Sequence, residues 1–141
     1  ESPRRGYEFV TRKISSTAAR IKLGMEKVMP LGNIEAKRDW GFAGEYVEMM
    51  HVMLQQDVPE DFVVGTGETH TVREFLEVVF GELNLNYQDY LVIDKNFYRP
   101  AEVDLLVADP KKARVKLGWK SKMKFEELAL QMVRHDYDIL K

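Results

Sequence analysis

Residues 71–83 read TVREFLEVVFGEL, and this stretch predicts the best-defined helix in the chain. Thr71 is a preferred N-cap residue, and Glu74 follows it at the spacing of a capping box. Apolar side chains recur every three or four positions, as they do along the buried face of a helix. These apolar positions are Val72, Phe75, Leu76, Val79, Phe80 and Leu83. The stretch therefore predicts a helix that packs one face into a core.

Four more segments on either side of this stretch have the pattern of helices. In residues 10–25, apolar side chains recur at helical spacing, and Gly24 is a signal for the end of that helix. Asp109-Pro110 has the pattern of a helix start and predicts a short helix that ends near Leu117. Two others, residues 43–56 and 125–140, carry an apolar stripe that we expect to face the core. The stripes consist of Ala43, Val47, Met50 and Leu54 in the first and of Phe125, Leu128, Met132 and Ile139 in the second.

The predicted strands are short. Residues 27–31, 37–40 and 90–93 read as extended segments, and residues 61–65, DFVVG, predict a buried strand bounded by turn residues. The regular alternation of strands and helices typical of a complete doubly wound sheet is absent, and so is a G-x-G-x-x-G loop. The chain therefore reads as a mainly helical α/β protein with a few short strands.

Composition and net charge argue against several classes of binding partner. The 141 residues fit one domain, and 21 basic against 23 acidic side chains leave a net charge of −2, which does not favour nucleic acid as a partner. No cysteine is present, no histidines have metal-ligand spacing, and no apolar run approaches the roughly 20 residues of a membrane span. We therefore expect neither a metal site nor a membrane partner.

Two charged segments could bind a nucleotide. In Tyr98-Arg99-Pro100-Ala101-Glu102, a guanidinium suits phosphate oxygens and a carboxylate suits a ribose diol. Lys37-Arg38-Asp39-Trp40 offers a second cation, Arg38, with Asp39 placed to orient it. The alternatives are an ion pair that braces a loop in the first segment and an exposed charged turn in the second. Residue pattern alone leaves both alternatives open.

Several motifs in order resemble one family. They are Glu-Ser-Pro-Arg-Arg-Gly at the start, Phe-Val-Thr-Arg-Lys-Ile from Phe9, Leu-Gly-Asn-Ile-Glu-Ala-Lys-Arg-Asp-Trp-Gly from Leu31, Thr-Gly-Glu-Thr-His-Thr-Val-Arg-Glu-Phe from Thr66 and Tyr-Arg-Pro-Ala-Glu-Val-Asp from Tyr98. Each motif is weak alone, but their order and spacing are specific. The chain resembles the GDP-mannose 4,6-dehydratase family of extended short-chain dehydrogenase/reductases along essentially its whole length.

The resemblance implies roles for seven residues. Arg5 matches a contact to NADP, and six others match contacts to the substrate. Those six are Val10 and Lys13 at the guanosine end, Asn33 in the loop beside the nucleotide, Arg38 and Arg99 at the diphosphate, and Glu102 at the ribose. The implied substrate is GDP-mannose, which the family oxidises at C4 with NADP, dehydrates across C5 and C6, and reduces at C6.

The resemblance further implies that residues 1–141 are the C-terminal GDP-sugar-binding part of a cytoplasmic, homo-oligomeric lyase. The Rossmann domain that holds NADP, with the catalytic threonine, glutamate and Tyr-x-x-x-Lys pair, would precede Glu1. We therefore expect no catalytic residue here and no activity from these residues alone. The alternative is a stand-alone nucleotide-binding or interaction module.

Overall fold

The computed structural model describes residues 1–98, 103 and 105–141. Within these ranges the α-helices are α1 Val10–Lys22, α2 Ala43–Leu54, α3 Val72–Glu82, α4 Lys111–Leu117 and α5 Phe125–Leu140. The strands are β1 Met29–Leu31, β2 Lys37–Arg38, β3 His70–Thr71 and β4 Leu91–Ile93, and short 3-10 helices span Tyr87–Asp89 and Lys95–Phe97. The expected fold class, mainly helical with a few short strands, is confirmed.

Helices α1, α3 and α5 pack against one another and enclose the core. The predicted face of α3 is buried, and its capping box forms as predicted: the Thr71 hydroxyl accepts from the Glu74 amide, and the Glu74 carboxylate accepts from the Thr71 amide. Phe125, Leu128 and Met132 of α5 are buried as predicted. The prediction for Ile139 is wrong, because Ile139 lies in the last turn of α5, beyond the buried stretch that ends at Asp136.

Two small sheets lie beside this helical core. β1 pairs with β4 in parallel, and β2 pairs with β3 in antiparallel register, which places Lys37 opposite Thr71 and Arg38 opposite His70. On its other side, Lys37 forms an isolated parallel bridge with Leu105. Residues 37–38 therefore lie between two other segments of the chain, although the sequence shows only a short charged motif there.

The buried strand predicted at residues 61–65 does not form. These residues make no strand pairing in the described chain, and Asp61 and Val63 are exposed. A short apolar run between turn residues indicates that a segment can join a sheet, but a strand also needs a partner backbone for its amides and carbonyls. Among the residues described, no strand is placed alongside this segment.

The prediction for the apolar stripe of α2 is also wrong. Val47, Met50 and Leu54 are 56–82% exposed, whereas the residue that α2 buries is Met49. The periodic pattern identifies a face suited to burial, but it does not say what covers that face. In the described ranges nothing covers it, so α2 presents an apolar surface to solvent. We call Val47, Met50 and Leu54 the α2 face.

A buried ion pair joins α1 to α5. Arg12 Nη2 lies 2.7 Å from Asp136 Oδ1, and the Ser15 hydroxyl donates to Asp136 Oδ2 at 2.5 Å. The Oδ1 contact lacks the alignment of a hydrogen bond. Arg12 also donates to the carbonyl of Arg5 and the hydroxyl of Tyr7, which ties the N-terminal segment to the helices. None of these contacts is visible in the sequence pattern.

Glu45 of α2 fastens the segment before α5. Its carboxylate accepts hydrogen bonds from the Ser121 hydroxyl at 2.7 Å and from the Lys122 and Met123 amides, each at 2.9 Å. Burial alone would raise the pKa of Glu45, but these three hydrogen bonds outweigh it and hold the pKa below its usual value. The ionised carboxylate is therefore the form that folding favours.

We expect Glu45→Gln to lower the free energy of unfolding by about 1–2 kcal/mol at neutral pH. Because the folded pKa lies below the unfolded value, this contribution is complete above the unfolded pKa and disappears as pH falls through the folded pKa. Urea denaturation of both chains from pH 7 to pH 3 measures it. Glu48→Gln, at an exposed position on the same helix, serves as control. A difference between Glu45→Gln and the parent that persists unchanged at low pH would contradict the assignment.

Candidate nucleotide-binding cleft

A cleft of about 410 Å³ lies where the start of α1, the turn after β1, strand β2 and the second 3-10 helix meet. Four of the residues predicted from the resemblance line it: Val10, Lys13, Asn33 and Arg38. They come from three separate elements, and only the fold brings them together. These residues bring two cations and a carboxamide to one concave surface, which the carboxylate of Glu8 and the carboxamide of Asn96 also line.

Lys13 projects from the first turn of α1 toward an aromatic ring. Its Nζ lies 3.6 Å from the centroid of the Phe97 ring, a cation–π distance. Burial lowers the pKa of Lys13, while the nearby carboxylate of Asp94 acts in the opposite direction. The ammonium is thus partly desolvated, which strengthens its attraction for an anionic or carbonyl oxygen placed in the cleft.

Phe97 also lines the cleft, although no sequence pattern identifies it as a binding residue. It belongs to the 3-10 helix Lys95–Phe97, which begins after Asp94, whose carboxylate accepts from the Asn96 amide at 2.9 Å. The backbone of Phe97 approaches Gly32 so closely that a Cβ at Gly32 would lie 2.7 Å from the Phe97 carbonyl oxygen. Asp94 as an N-cap is the only sequence signal for this turn, and it does not identify a binding aromatic.

Asn33 follows this close contact. Its side-chain oxygen accepts from the Glu35 amide at 2.9 Å, a turn that the Gly32-Asn33 pair predicts. The carboxamide oxygen is therefore engaged within the turn, while the side chain still lines the cleft. Asn33 can contribute shape and its amide group to a ligand, but its carbonyl oxygen is already used.

Arg38 reaches the cleft from β2. Its Nη1 donates to the carbonyl of Lys37 at 2.8 Å and to the carbonyl of Val103 at 2.7 Å. The hydrogen bonds of the Asp39 carboxylate do not go to Arg38. Asp39 instead accepts from Thr66, Gly67 and Ala108. Successive side chains of an extended segment point to opposite faces, so neighbours in sequence need not meet.

Arg5 does not line the cleft. Its guanidinium lies over the Phe9 ring at 3.4 Å from the centroid, and its Nε lies 3.4 Å from Glu1 Oε2. Arg99 and Glu102, the other two predicted ligands, lie outside the described residues. Tyr98, which directly precedes Arg99, lines the cleft. The structure therefore brings four of the seven predicted residues together.

The other side chains that could take part in catalysis lie outside the cleft. His70 stacks on the ring of Phe125 with centroids 3.8 Å apart, which makes it part of the packing. One Tyr-x-x-x-Lys spacing does occur, at Tyr137 and Lys141, but these residues close α5 and do not line the cleft. In the described ranges no three histidine, aspartate or glutamate side chains form a group that could hold a metal ion. None of the helices described is long and apolar enough to cross a bilayer.

Comparison with known proteins places the chain in a family. The family model for GDP-mannose 4,6 dehydratase matches residues 1–132. GDP-mannose 4,6 dehydratase 1 of Arabidopsis thaliana is 55% identical over 141 residues, and the Homo sapiens enzyme of that name is 46% identical over 158. Each alignment covers 100% of this chain but only 39% and 42% of the relative, respectively. The chain thus spans about two fifths of these relatives.

Solved structures share the fold. RMD from Pseudomonas aeruginosa, solved with NADPH, superposes with a TM-score of 0.88 at 18% identity, over 98% of this chain and 46% of that one. UDP-glucose 4-epimerase of Thermotoga maritima, solved with UDP-glucose, gives 0.78 at 23% identity, over 99% and 42%. At these identities the likeness concerns the fold alone. The family match over residues 1–132 carries the assignment: the chain belongs to the GDP-mannose 4,6-dehydratase family.

Proposed function

We propose that residues 1–141 are the C-terminal, GDP-mannose-binding portion of an NADP-dependent GDP-mannose 4,6-dehydratase. The observation that carries the proposal is that Lys13 and Arg38, from α1 and β2, line one cleft together with Phe97. Two cations beside an aromatic ring suit a ligand that is both phosphorylated and heteroaromatic. The family membership supports the substrate, since the relatives are named for GDP-mannose.

The roles follow from the chemistry of the side chains. Arg38 would donate to diphosphate oxygens, and Arg99 would share that task. Lys13, with Val10 and Asn33, would surround the guanosine end, and Glu102 would accept from the ribose hydroxyls. Such contacts lie away from the reacting hexose, and they influence rate by holding the sugar in position rather than by chemistry.

NADP is the cofactor we propose for the complete enzyme, where it would accept and return a hydride. The surroundings of Arg5 are partly consistent with a contact to NADP. The Arg5 side chain is 39% exposed, and its Nε makes no aligned hydrogen bond despite the nearby Glu1 carboxylate. The Nε itself is buried, so only the exposed part of the guanidinium could donate to a phosphate or carbonyl oxygen. A single arginine does not form a cofactor site, so we expect residues 1–141 alone to be inactive as a lyase.

The exposed α2 face supports the domain assignment. The apolar side chains of Val47, Met50 and Leu54 suit coverage by more protein, and the unpaired segment at residues 61–65 separately offers a backbone for pairing. We propose that in a protein of the relatives' length the α2 face packs on the NADP-binding domain. The same surface would serve the alternative function, a stand-alone interaction module. We also propose a homo-oligomeric, cytoplasmic enzyme, for which the family resemblance is the support.

Nucleotide binding tests the proposal. We expect a fluorescent GDP analogue to bind residues 1–141, and Lys13→Ala and Arg38→Ala each to weaken it about tenfold or more, because each removes a charge-assisted hydrogen bond. Fluorescence anisotropy at low protein concentration measures the affinity. Arg134→Ala removes an exposed cation that pairs with Glu82 and serves as the matched control. Equal affinity of all variants, or no saturable binding up to about 1 mM nucleotide, would overturn the assignment.

A further inference from the structure

Asp39 joins three segments that are distant in the chain. Its Oδ1 accepts from the amide and hydroxyl of Thr66, at 2.9 and 2.6 Å. Its Oδ2 accepts from the amides of Gly67 at 2.9 Å and Ala108 at 3.1 Å. Four donors on one carboxylate are as many as its two oxygens ordinarily accept. The end of β2 is thereby held to the turn at residues 65–67 and to residue 108.

The turn at residues 65–67 is shaped for this contact. A Cβ at Gly65 would lie 2.2 Å from the Cβ of Ala108 and 3.1 Å from Asp39 Oδ2, so a side chain there would displace residue 108. Gly67 has φ +79°, a left-handed conformation that favours glycine. The two glycines therefore allow the backbone to approach both the carboxylate and the neighbouring segment.

The segment that ends at Ala108 also orients the cleft arginine. It runs beside β2, where Leu105 bridges Lys37 and the Leu106 amide donates to the Lys37 carbonyl at 3.2 Å. At its beginning, the Val103 carbonyl accepts from Arg38 Nη1 at 2.7 Å. One end of the segment is thus fastened by Asp39, and the other end holds the guanidinium of Arg38.

We propose that Asp39 is a positioning residue for Arg38: it fastens Ala108, in the segment whose Val103 carbonyl accepts from Arg38, without touching the ligand. The inference rests on the proposed function of Arg38 as a phosphate contact. Its physical basis is rigidity: a guanidinium binds two phosphate oxygens well only when its direction is set in advance. Asp39 contributes to that direction indirectly, because it fastens the segment that carries Val103, one of the acceptors of Arg38.

Asp39→Asn tests the inference. Asparagine keeps one acceptor oxygen, and in either orientation its NH2 group faces a backbone N–H, so the link between β2, the turn at residues 65–67 and residue 108 is weakened. We expect affinity for the fluorescent GDP analogue to fall about tenfold. In the Arg38→Ala background the same change should cost less than about twofold, because the residue through which Asp39 acts has been removed. Equal losses in both backgrounds would show an independent structural effect and overturn the inference.

Glu45→Gln is the matched control, because Glu45 also fastens a loop through three hydrogen bonds but lies away from the cleft. It should leave GDP affinity unchanged. If the Asp39→Asn variant does not fold, the Gly65→Ala variant is used to test the same contact. That change should weaken binding, and Ala108→Gly added to it should restore affinity to within about threefold by removing the clash. No restoration in the double variant would contradict the role of this contact.

A readout without nucleotide separates this inference from the proposed function. Hydrogen exchange of the amides of residues 105–108 should accelerate about tenfold or more in Asp39→Asn and remain unchanged in Glu45→Gln. The Nε–H signal of Arg38 in NMR spectra should shift in the former variant only. Absence of GDP binding by the parent chain would overturn the proposed function, whereas unchanged exchange and an unmoved Arg38 signal would overturn the positioning role alone.

Discussion

Asp136→Ala is expected to lower the free energy of unfolding by about 3–5 kcal/mol. Asp136 is 1% exposed and lies 2.7 Å from Arg12, which is 4% exposed. Without the carboxylate, the guanidinium remains buried between α1 and α5 with no opposite charge beside it, and the Ser15 hydroxyl loses its acceptor. The cost therefore comes mainly from the uncompensated charge rather than from the lost contact itself. Urea denaturation followed by circular dichroism measures it.

Two further variants provide a control for this experiment and a test of its physical cause. Asp138→Ala, two residues further along α5 at an exposed position, should change stability by less than about 0.5 kcal/mol. Burial raises the pKa of Asp136 even though the Ser15 hydrogen bond and Arg12 oppose the rise, so the ionised pair is costly to bury. Arg12→Met combined with Asp136→Leu should therefore recover most of the loss. A cost below about 1 kcal/mol for Asp136→Ala would contradict the assignment of a buried ion pair that is costly to break.

Residues 1–141 are expected to self-associate through the α2 face, and Val47→Lys, Met50→Glu and Leu54→Lys together should weaken association about a hundredfold. This factor corresponds to about 2.8 kcal/mol, which is in keeping with roughly 1.5–3 kcal/mol for the full burial of one large apolar side chain. The three positions form one stripe on α2 and are 56–82% exposed. Sedimentation velocity over a range of protein concentrations measures the change.

Val115→Lys provides the control for association. Val115 is 74% exposed and belongs to α4 rather than to the α2 face, so its replacement should leave sedimentation unchanged. The unpaired segment at residues 61–65 offers a second route, because an extended segment without a partner can pair with another chain. Association that survives the triple substitution would assign the contact to that segment. A monomeric parent chain at all concentrations would contradict both routes.

Local patterns predicted the parts of the fold whose determinants are close in sequence. The capping box at Thr71 and Glu74, the apolar face of α3 and the inward side of α5 as far as Met132 form as expected. In each case residues three or four positions apart carry the signal, and the same spacing places them together on a helix. The stop at Gly24 and the turn at Asn33 are similarly local.

The sequence does not predict correctly those features that depend on a partner far away in the chain. The stripe of α2 and the DFVVG segment have the composition of buried elements, but burial requires a second surface, and the described chain supplies none. The sequence places Asp39 beside Arg38, but it does not show that the hydrogen bonds of Asp39 go to Thr66, Gly67 and Ala108. Nothing in the sequence near residue 39 indicates which amides will reach its carboxylate.

The sequence by itself determined the family, the helical character and the identity of the cleft residues Val10, Lys13, Asn33 and Arg38. Ordered motifs and helical periodicity are one-dimensional properties, so reading along the chain is sufficient to find them. Only the tertiary structure decided that these residues share one cleft with Phe97, that Arg12 and Asp136 meet inside the protein, and that Asp39 holds the segment beside Arg38. These are contacts between residues far apart in the chain, and they exist only once the core of α1, α3 and α5 has brought the segments together.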